Sequence, residues 1–341
     1  MEVSVQPLGE RFEVAAGDNL LKALTDRQIP VSYSCLSGRC GTCRCKVVSG
    51  DVQEAGGYAY RHHTAVSADD DRYVLACQAT VQGDCVIELP ELDEVVVHPA
   101  KILKATVLAI EPLTHDIKRL VLKPAKPLSF SPGQYATLQF TPEHIRPYSM
   151  AGLDADDTLE FHIRRVPGGA VTGYVDEQLK VGDAVRVSGP LGTSYLRTRH
   201  EGPMLCVAGG TGLAPVLSIA RGALACGMTN RIEIYVGARS RSDVYGLAWL
   251  RELAARHDGI RLHVVTTSSE GVTSDAVDAA FRQGHVTDAV ATDYTAADAL
   301  SGWRAYLCGA PPMVEAATHL LRARGVDAAH IYADAFYANA A

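Results

Sequence analysis

The 341-residue chain has no run of roughly 18 to 20 apolar residues that could span a bilayer, although 47% of its residues are hydrophobic. It also lacks long Lys/Arg clusters and carries a net charge of −7. Both features argue against nucleic acid or an anionic membrane as the main partner, and a basic or neutral protein surface suits the chain better. No internal repeat and no low-complexity tract is present. The opening stretch MEVSVQPLGERFEV alternates like a strand and has none of the marks of a secretory signal, so the expectation is a soluble, cytoplasmic protein. Nine cysteines are an odd number. In a long chain of this kind, clustered cysteines point to metal or redox chemistry more than to a disulfide framework.

Three textures follow one another, in keeping with a length that suggests two or three domains. Residues 1–92 read as short alternating strands and turns with one helical stretch, Asn19 to Gln28, whose Leu20, Leu21 and Leu24 recur at helical spacing. This segment holds six of the nine cysteines, and its 13 acids against 8 bases place −5 of the −7 charge there. An acidic docking face is the implied consequence. Residues 99–201 contain β-like runs (TVLAIEPL, YATLQF, LEFHIRRV, AVRVSGPLG) broken by Pro and Gly turns, which reads as a small antiparallel barrel or sandwich. Residues 202–341 alternate apolar strands with helices, the βαβ rhythm of a parallel sheet.

Residues 33 to 45, YSCLSGRCGTCRC, give C-x4-C-x2-C, and a fourth cysteine lies 34 positions after the third. This spacing of Cys35, Cys40, Cys43 and Cys77 is that of plant-type [2Fe–2S] ligands. Three thiolates on one tight loop can hold one edge of a cluster, while Ser37, Gly38, Gly41 and Thr42 are small enough to let backbone N–H groups reach the sulfurs. Structural zinc is the rival reading, but such sites draw their cysteines from two separated C-x2-C pairs and only one exists here. Cys45 and Cys85 read as packing cysteines. His62 and His63 would be needed by a Rieske-type cluster; with four cysteines already placed, they read as surface loop residues.

In the middle segment Arg146, Tyr148 and Ser149 follow a strand, and Gly169, Val171 and Thr172 open a helix. An Arg forks onto a diphosphate, an aromatic lies against a flavin ring, and a hydroxyl beside it reaches a ring heteroatom. A Gly-Gly turn entering a helix offers N–H groups to phosphate. His162 and Arg164 share one face of the intervening strand, and contact with the cofactor is favoured over simple exposure to solvent.

In the last segment Gly209, Gly210, Thr211, Gly212 and Pro215 link a strand to a helix, the order expected of a diphosphate-binding loop, though not the G-x-G-x-x-G fingerprint. Cys308, Gly309 and Pro311 end another strand at the carboxyl edge of the sheet, where ligands of open α/β sheets bind. Cys308 reads as shaping a nicotinamide pocket. After the strand RIEIYVGA, Asp243 would accept from a ribose 2′-hydroxyl, whereas Arg239 or Arg241 would greet a 2′-phosphate. The reading leans to NADH without excluding NADPH.

The runs SYSCLSGRCGTCRCKV, SPGQYATLQFTPEHIRPYSMAGL, SGPLGTSYLR, GGTGLAPVLSI, GWRAYLCGAP and HIYADAFY together make the chain resemble the reductase components of naphthalene dioxygenase-type, ring-hydroxylating systems over nearly its whole length. The resemblance implies a multidomain protein. Its parts would be a β-grasp [2Fe–2S] ferredoxin domain, an antiparallel β-barrel FAD domain and an α/β parallel-sheet NAD domain of the ferredoxin-reductase type. It also implies that Arg146, Tyr148 and Ser149 hold the flavin, with residues 169–172 at its diphosphate, and that residues 209–215 and 308–311 hold NADH. Phe336 would cover the flavin ring; core packing at a strand end is the alternative. The implied activity is electron transfer from NADH through FAD and the cluster to a Rieske-type ferredoxin, which feeds a terminal oxygenase. The alternatives are direct supply of a monooxygenase or hydroxylase, and a non-catalytic electron carrier or redox sensor. One departure stands out: the 33 residues between the third and fourth cysteines exceed the plant ferredoxin gap by a few, which bears on the loop around Gly56 to Asp71.

Overall fold

A computed structural model of the chain describes residues 1–29, 31, 33, 38, 43–54, 73–89, 96, 98–268 and 281–336. The chain divides into two compact units, Met1–Val97 and His98–Ala341.

In the first unit, strands β1 (Glu2–Gln6) and β2 (Glu10–Glu13) form a hairpin, helix α1 (Leu20–Asp26) follows, and β3 (Arg44–Glu54), β4 (Tyr73–Leu75) and β5 (Ala79–Glu88) complete the set. The sheet order is β2-β1-β5-β3-β4, with β1 and β5 parallel and the remaining neighbours antiparallel. Val3 and Val5 point inward from β1 because alternate residues share a face. They meet Leu20, Leu21 and Leu24 of α1 and Val81 and Ile87 of β5 in one core. The Asn19 side chain caps α1 by accepting from Lys22 N, which satisfies one orphan donor of the first turn. The helix ends two residues short of the expected Gln28, because Arg27 caps it and Gln28 takes a positive φ of 59°.

The second unit begins with an antiparallel six-stranded sheet: β6 (Lys101–Pro112), β7 (Ile117–Pro124), β8 (Tyr135–Gln139), β9 (Ile145–Ser149), β10 (Leu159–Arg164) and β11 (Ala184–Leu191), in the order β10-β7-β6-β11-β8-β9. Its edges approach each other through the Met150–Phe161 bridge and the hydrogen bond from Ala151 N to Glu160 O, nearly closing a barrel. Leu120, Leu122, Leu138, Met150 and Phe161 fill it, and α2 (Ala170–Glu177) adds Val171 and Val175.

The rest of this unit is a six-stranded, wholly parallel sheet in the order β15-β14-β13-β12-β16-β17. Its strands are β12 (Met204–Gly209), β13 (Ile232–Ala238), β14 (Ile260–Thr266), β15 (Phe281–Gln283), β16 (Arg304–Gly309) and β17 (Ile331–Ala335). Helices α3 (Leu213–Ala225) and α4 (Leu247–Arg256) cover one face, and α5 (Val286–Asp293) and α6 (Pro311–Ala323) the other. The strands read as continuous apolar runs because both faces are covered. From β12 the chain first builds outward to β13 and later returns to β16 on the other side. The crevice between the ends of β12 and β16 is therefore the topological switch point of the sheet. No helix among the described residues is long and apolar enough to cross a membrane.

Candidate active site and electron-transfer centre

Along β9, alternation sends Arg146 and Tyr148 to one face and Ser149 to the other. The Tyr148 hydroxyl is buried and has no hydrogen-bond partner among the described residues. Burial raises its pKa and keeps it protonated. A buried O–H left unmet by protein costs free energy that a polar ligand would relieve. Ser149 Oγ donates to Asp334 Oδ2 at 2.9 Å, a buried bond between residues 185 apart.

Asp334 sits in β17 in register with Cys308 of β16. Cys308 is fully buried, and burial, followed by the charge of Asp334 and the nearby Cys206, pushes its thiol well above the ordinary range. It is a protonated packing thiol and not a nucleophile. Two residues beyond Asp334, the half-buried Phe336 donates its backbone N–H to Gly309 O at 2.9 Å. Ser149, Cys308 and Phe336 are thus gathered at one place, with Asp334 as the link. Asp334 was not among the residues singled out from sequence. The signal that marks it is an acidic residue on an apolar terminal strand, one alternation step before the aromatic Phe336.

At the start of α2, Gly169 is the N-cap residue. Val171 packs into the barrel core, and Thr172 Oγ1 is engaged locally, accepting from Val166 N at 3.1 Å and donating to Gly169 O at 3.3 Å. What this turn presents to a ligand is its backbone N–H groups.

His162 and Arg164 do share a face of β10, but that face meets the parallel sheet. His162 is buried between Glu160 Oε1 on Nε2 and the Tyr245 hydroxyl on Nδ1, both at 3.0 Å, and its ring stacks on Trp249. Both ring nitrogens are therefore taken by protein. Burial alone would raise the Glu160 carboxyl, but hydrogen bonds from His162 and Arg119 and their charges hold it at about 2. Arg164 reaches the glycine loop instead: a Cβ on Gly210 would lie 2.8 Å from its Nη1, so the guanidinium lies close against the bare backbone there.

That loop runs from Gly209 at the end of β12 through a 3₁₀ turn, Gly210–Gly212, into α3. Gly210 adopts φ 56°, and a side chain on Gly212 would overlap the Cys308 carbonyl, so the two strand ends pack backbone to backbone. Thr211 is half-buried at the turn. Pro215 lies in the first turn of α3, where its missing N–H costs nothing, and Pro311 opens α6 in the same way. The N-terminus of α3 thus faces the switch-point crevice with its dipole, an arrangement suited to a diphosphate.

Asp243 is turned inward. Its Oδ2 accepts from Ser240 N at 3.0 Å and Ser240 Oγ at 2.7 Å, and its Oδ1 accepts from Arg239 Nη2 at 2.6 Å. A ribose hydroxyl would have to compete with all three donors. Arg239 Nη2 also meets Asp116 Oδ2 at 3.0 Å, and Arg164 Nε lies 3.4 Å from that same oxygen. His115, Asp116 and Asp243 lie close enough to suggest a cation site. With a guanidinium between the two carboxylates, the group is an ion-pair network instead.

In the first unit, Cys35, Cys40, His62, His63 and the loop from Gly56 to Asp71 lie outside the described residues. Cys43 is buried, Cys77 is half-buried, and Cys77 N donates to Cys43 Sγ at 3.5 Å. An N–H aimed at a sulfur is the contact a cluster thiolate requires, so these two residues fit an iron–sulfur site. Cys45 and Cys85 pack in the core. Burial, then the neighbouring Cys85 and Glu54, push the Cys45 thiol up to about 12, as a packing cysteine in an apolar core.

Comparison with known families gives three matches in chain order. A 2Fe-2S iron-sulfur cluster binding domain covers residues 3–82, an oxidoreductase FAD-binding domain residues 104–195, and an oxidoreductase NAD-binding domain residues 206–319. The chain is 52% identical over 337 residues to the ferredoxin–NAD(P)+ reductase component of the naphthalene 1,2-dioxygenase system of Pseudomonas putida, covering 99% of each chain. It is 54% identical, with the same coverage, to the reductase component of the naphthalene 1,2-dioxygenase/salicylate 5-hydroxylase systems of a Ralstonia species. Among solved structures, an Amycolatopsis cytochrome P450 reductase is similar at TM-score 0.76 and 36% identity, and the ferredoxin reductase of carbazole 1,9a-dioxygenase at TM-score 0.69 and 27% identity, each covering 98% of both chains.

Proposed function

The chain belongs to the ferredoxin–NAD(P)+ reductase components of naphthalene dioxygenase-type systems, and on that footing we propose that it carries electrons from NADH to a Rieske-type ferredoxin serving a ring-hydroxylating oxygenase. It is an NAD(P)H-dependent oxidoreductase with [2Fe–2S] and FAD groups. We take residues 1–92, 99–201 and 202–341 as its three working parts. FAD, when bound, accepts electrons from nicotinamide as a hydride and releases them singly, which a one-electron cluster can carry onward.

The observation that carries the reading is the buried bond from Ser149 Oγ to Asp334 Oδ2. It ties the strand bearing Arg146 and Tyr148 to the last strand of the nucleotide sheet, beside Cys308. One wall therefore serves both the ring bound by the barrel and the nicotinamide entering from the switch point. With its proton committed to Asp334, Ser149 Oγ presents lone pairs and accepts from a ring N–H. Tyr148 and Phe336 supply aromatic surface for stacking, and Arg146 supplies the fork for a diphosphate. The buried thiol of Cys308 packs behind that wall, in register with Asp334. Cys43 and Cys77, with Cys35 and Cys40, hold the cluster.

Reconstitution tests the partner. With a Rieske-type ferredoxin and its oxygenase, product formation from naphthalene is expected to stop when the ferredoxin is omitted. Full turnover without it would replace this reading with direct supply of the oxygenase.

A further inference from the structure

Gln78 follows Cys77 in the turn Ala76–Gln78 between β4 and β5, and its backbone N–H is fixed to Leu75 O at 2.8 Å. Its side-chain Nε2 lies 3.4 Å from Cys77 Sγ and 3.2 Å from Cys77 O. Both are acceptors, so the amide must present its N–H₂ end there; its oxygen would meet two lone-pair donors. A Cβ on Gly38 of the cysteine loop would stand 2.7 Å from Gln78 Cγ and 3.2 Å from Cδ, so the amide's stem runs past bare glycine backbone that a larger residue would obstruct. Cys77 is itself braced, because Asn19 Nδ2 donates to its carbonyl at 3.0 Å while Asn19 Oδ1 caps α1.

We propose that Gln78, through its Nε2–H to Cys77 Sγ, raises the reduction potential of the cluster that Cys77 holds, and so sets how readily the exit site of the relay accepts an electron. The inference rests on Cys77 being a ligand. Reduction adds one negative charge, shared with the thiolate sulfurs. A donor aimed at a ligand sulfur stabilises the reduced form more than the oxidised one, and hydrogen bonds to sulfur are among the factors that set such potentials. Gln78 is a positioning and tuning residue, since its side chain acts through Cys77.

The test is an EPR-monitored redox titration of the full-length holoprotein. Gln78→Met keeps an unbranched side chain of similar length that slides past Gly38, and it removes the donor. Gln78→Glu keeps the shape and replaces the donor by a carboxylate. Gln78→Met is expected to shift the cluster to a more negative potential, with a three- to tenfold fall in the reduced-to-oxidised ratio at fixed potential, about 28 to 59 mV at 59 mV per tenfold for one electron. Gln78→Glu is expected to move it further in the same direction. An intact cluster at the wild-type potential in both variants would overturn the proposal. So would an equal shift of the flavin, or loss of the cluster in both, which would make Gln78 a loop brace. Cys77→Ser separates the two levels of the reading. If it keeps the native EPR spectrum, the ligand assignment itself fails. If it loses the cluster while the Gln78 variants titrate like the wild type, only the tuning role falls.

Discussion

At the scale of single residues, the chemistry concentrates in a few side chains held by partners far away in sequence. Ser149 depends on Asp334, and removing either breaks the buried bond between them. A hydrogen bond to a charged partner is worth about 1.5 to 3 kcal/mol, so Ser149→Ala should slow flavin reduction by NADH roughly 10- to 100-fold with a much smaller change in KM. Rapid mixing of the variant with NADH checks this, and a rate within twofold of the wild type would detach Ser149 from the reaction. Cys77→Ser should abolish ferredoxin reduction and the cluster's EPR signal while most ferricyanide reduction survives, because the flavin can discharge directly to a small oxidant. Equal loss of both activities would count against separate cluster and flavin sites. The cysteine spacing, the Arg146 to Ser149 run and the glycine turns are patterns visible in the sequence itself, and the cluster, FAD and NAD domains they imply are matched in the same order. Asp334 was not legible in this way, because its meaning comes from a contact 185 positions away.

At the scale of elements, the seam between the barrel and the parallel sheet holds a chain of polar contacts, from Arg119 through Glu160 and His162 to Tyr245 of the segment leading into α4. Sequence alternation correctly put His162 and Arg164 on one face of β10. It could not say what that face meets, and Tyr245, 83 residues on, takes one ring nitrogen of His162. Asp243 shows the same limit, since a capping role for Ser240 turns its carboxylate inward. The seam has a pH signature. Glu160 is held at about 2 against an ordinary 4.5. A lowered folded-state value contributes stability that is complete above about pH 5 and lost as pH falls toward 2, roughly 3 kcal/mol in all. Glu160→Gln should therefore cost most near neutral pH and progressively less below about pH 4.5, read from urea midpoints of the two proteins. A cost that does not change with pH would mean the carboxylate charge contributes nothing there.

At the scale of the whole molecule, the three textures of the sequence correspond to a mixed sheet with one helix, a nearly closed antiparallel barrel and a doubly covered parallel sheet. The order of those parts was legible because each has its own hydrophobic period. Helix α5 and strand β15 were not anticipated, since both are short and partly polar. The acidic excess of the first 92 residues suits docking onto a basic patch of a partner ferredoxin, so ferredoxin reduction should weaken steeply between low and physiological salt while ferricyanide reduction does not. Salt-independent ferredoxin turnover would argue for an apolar contact.

The central claim is the direction of flow, from nicotinamide to flavin to cluster. Anaerobic mixing of the holoprotein with one equivalent of NADH, followed optically for the flavin and by freeze-quench EPR for the cluster, tests it most directly. The flavin is expected to bleach first and the cluster signal to rise as the flavin gives up its electrons. A flavin that stays oxidised, or a cluster reduced before any flavin bleaching, would contradict the relay.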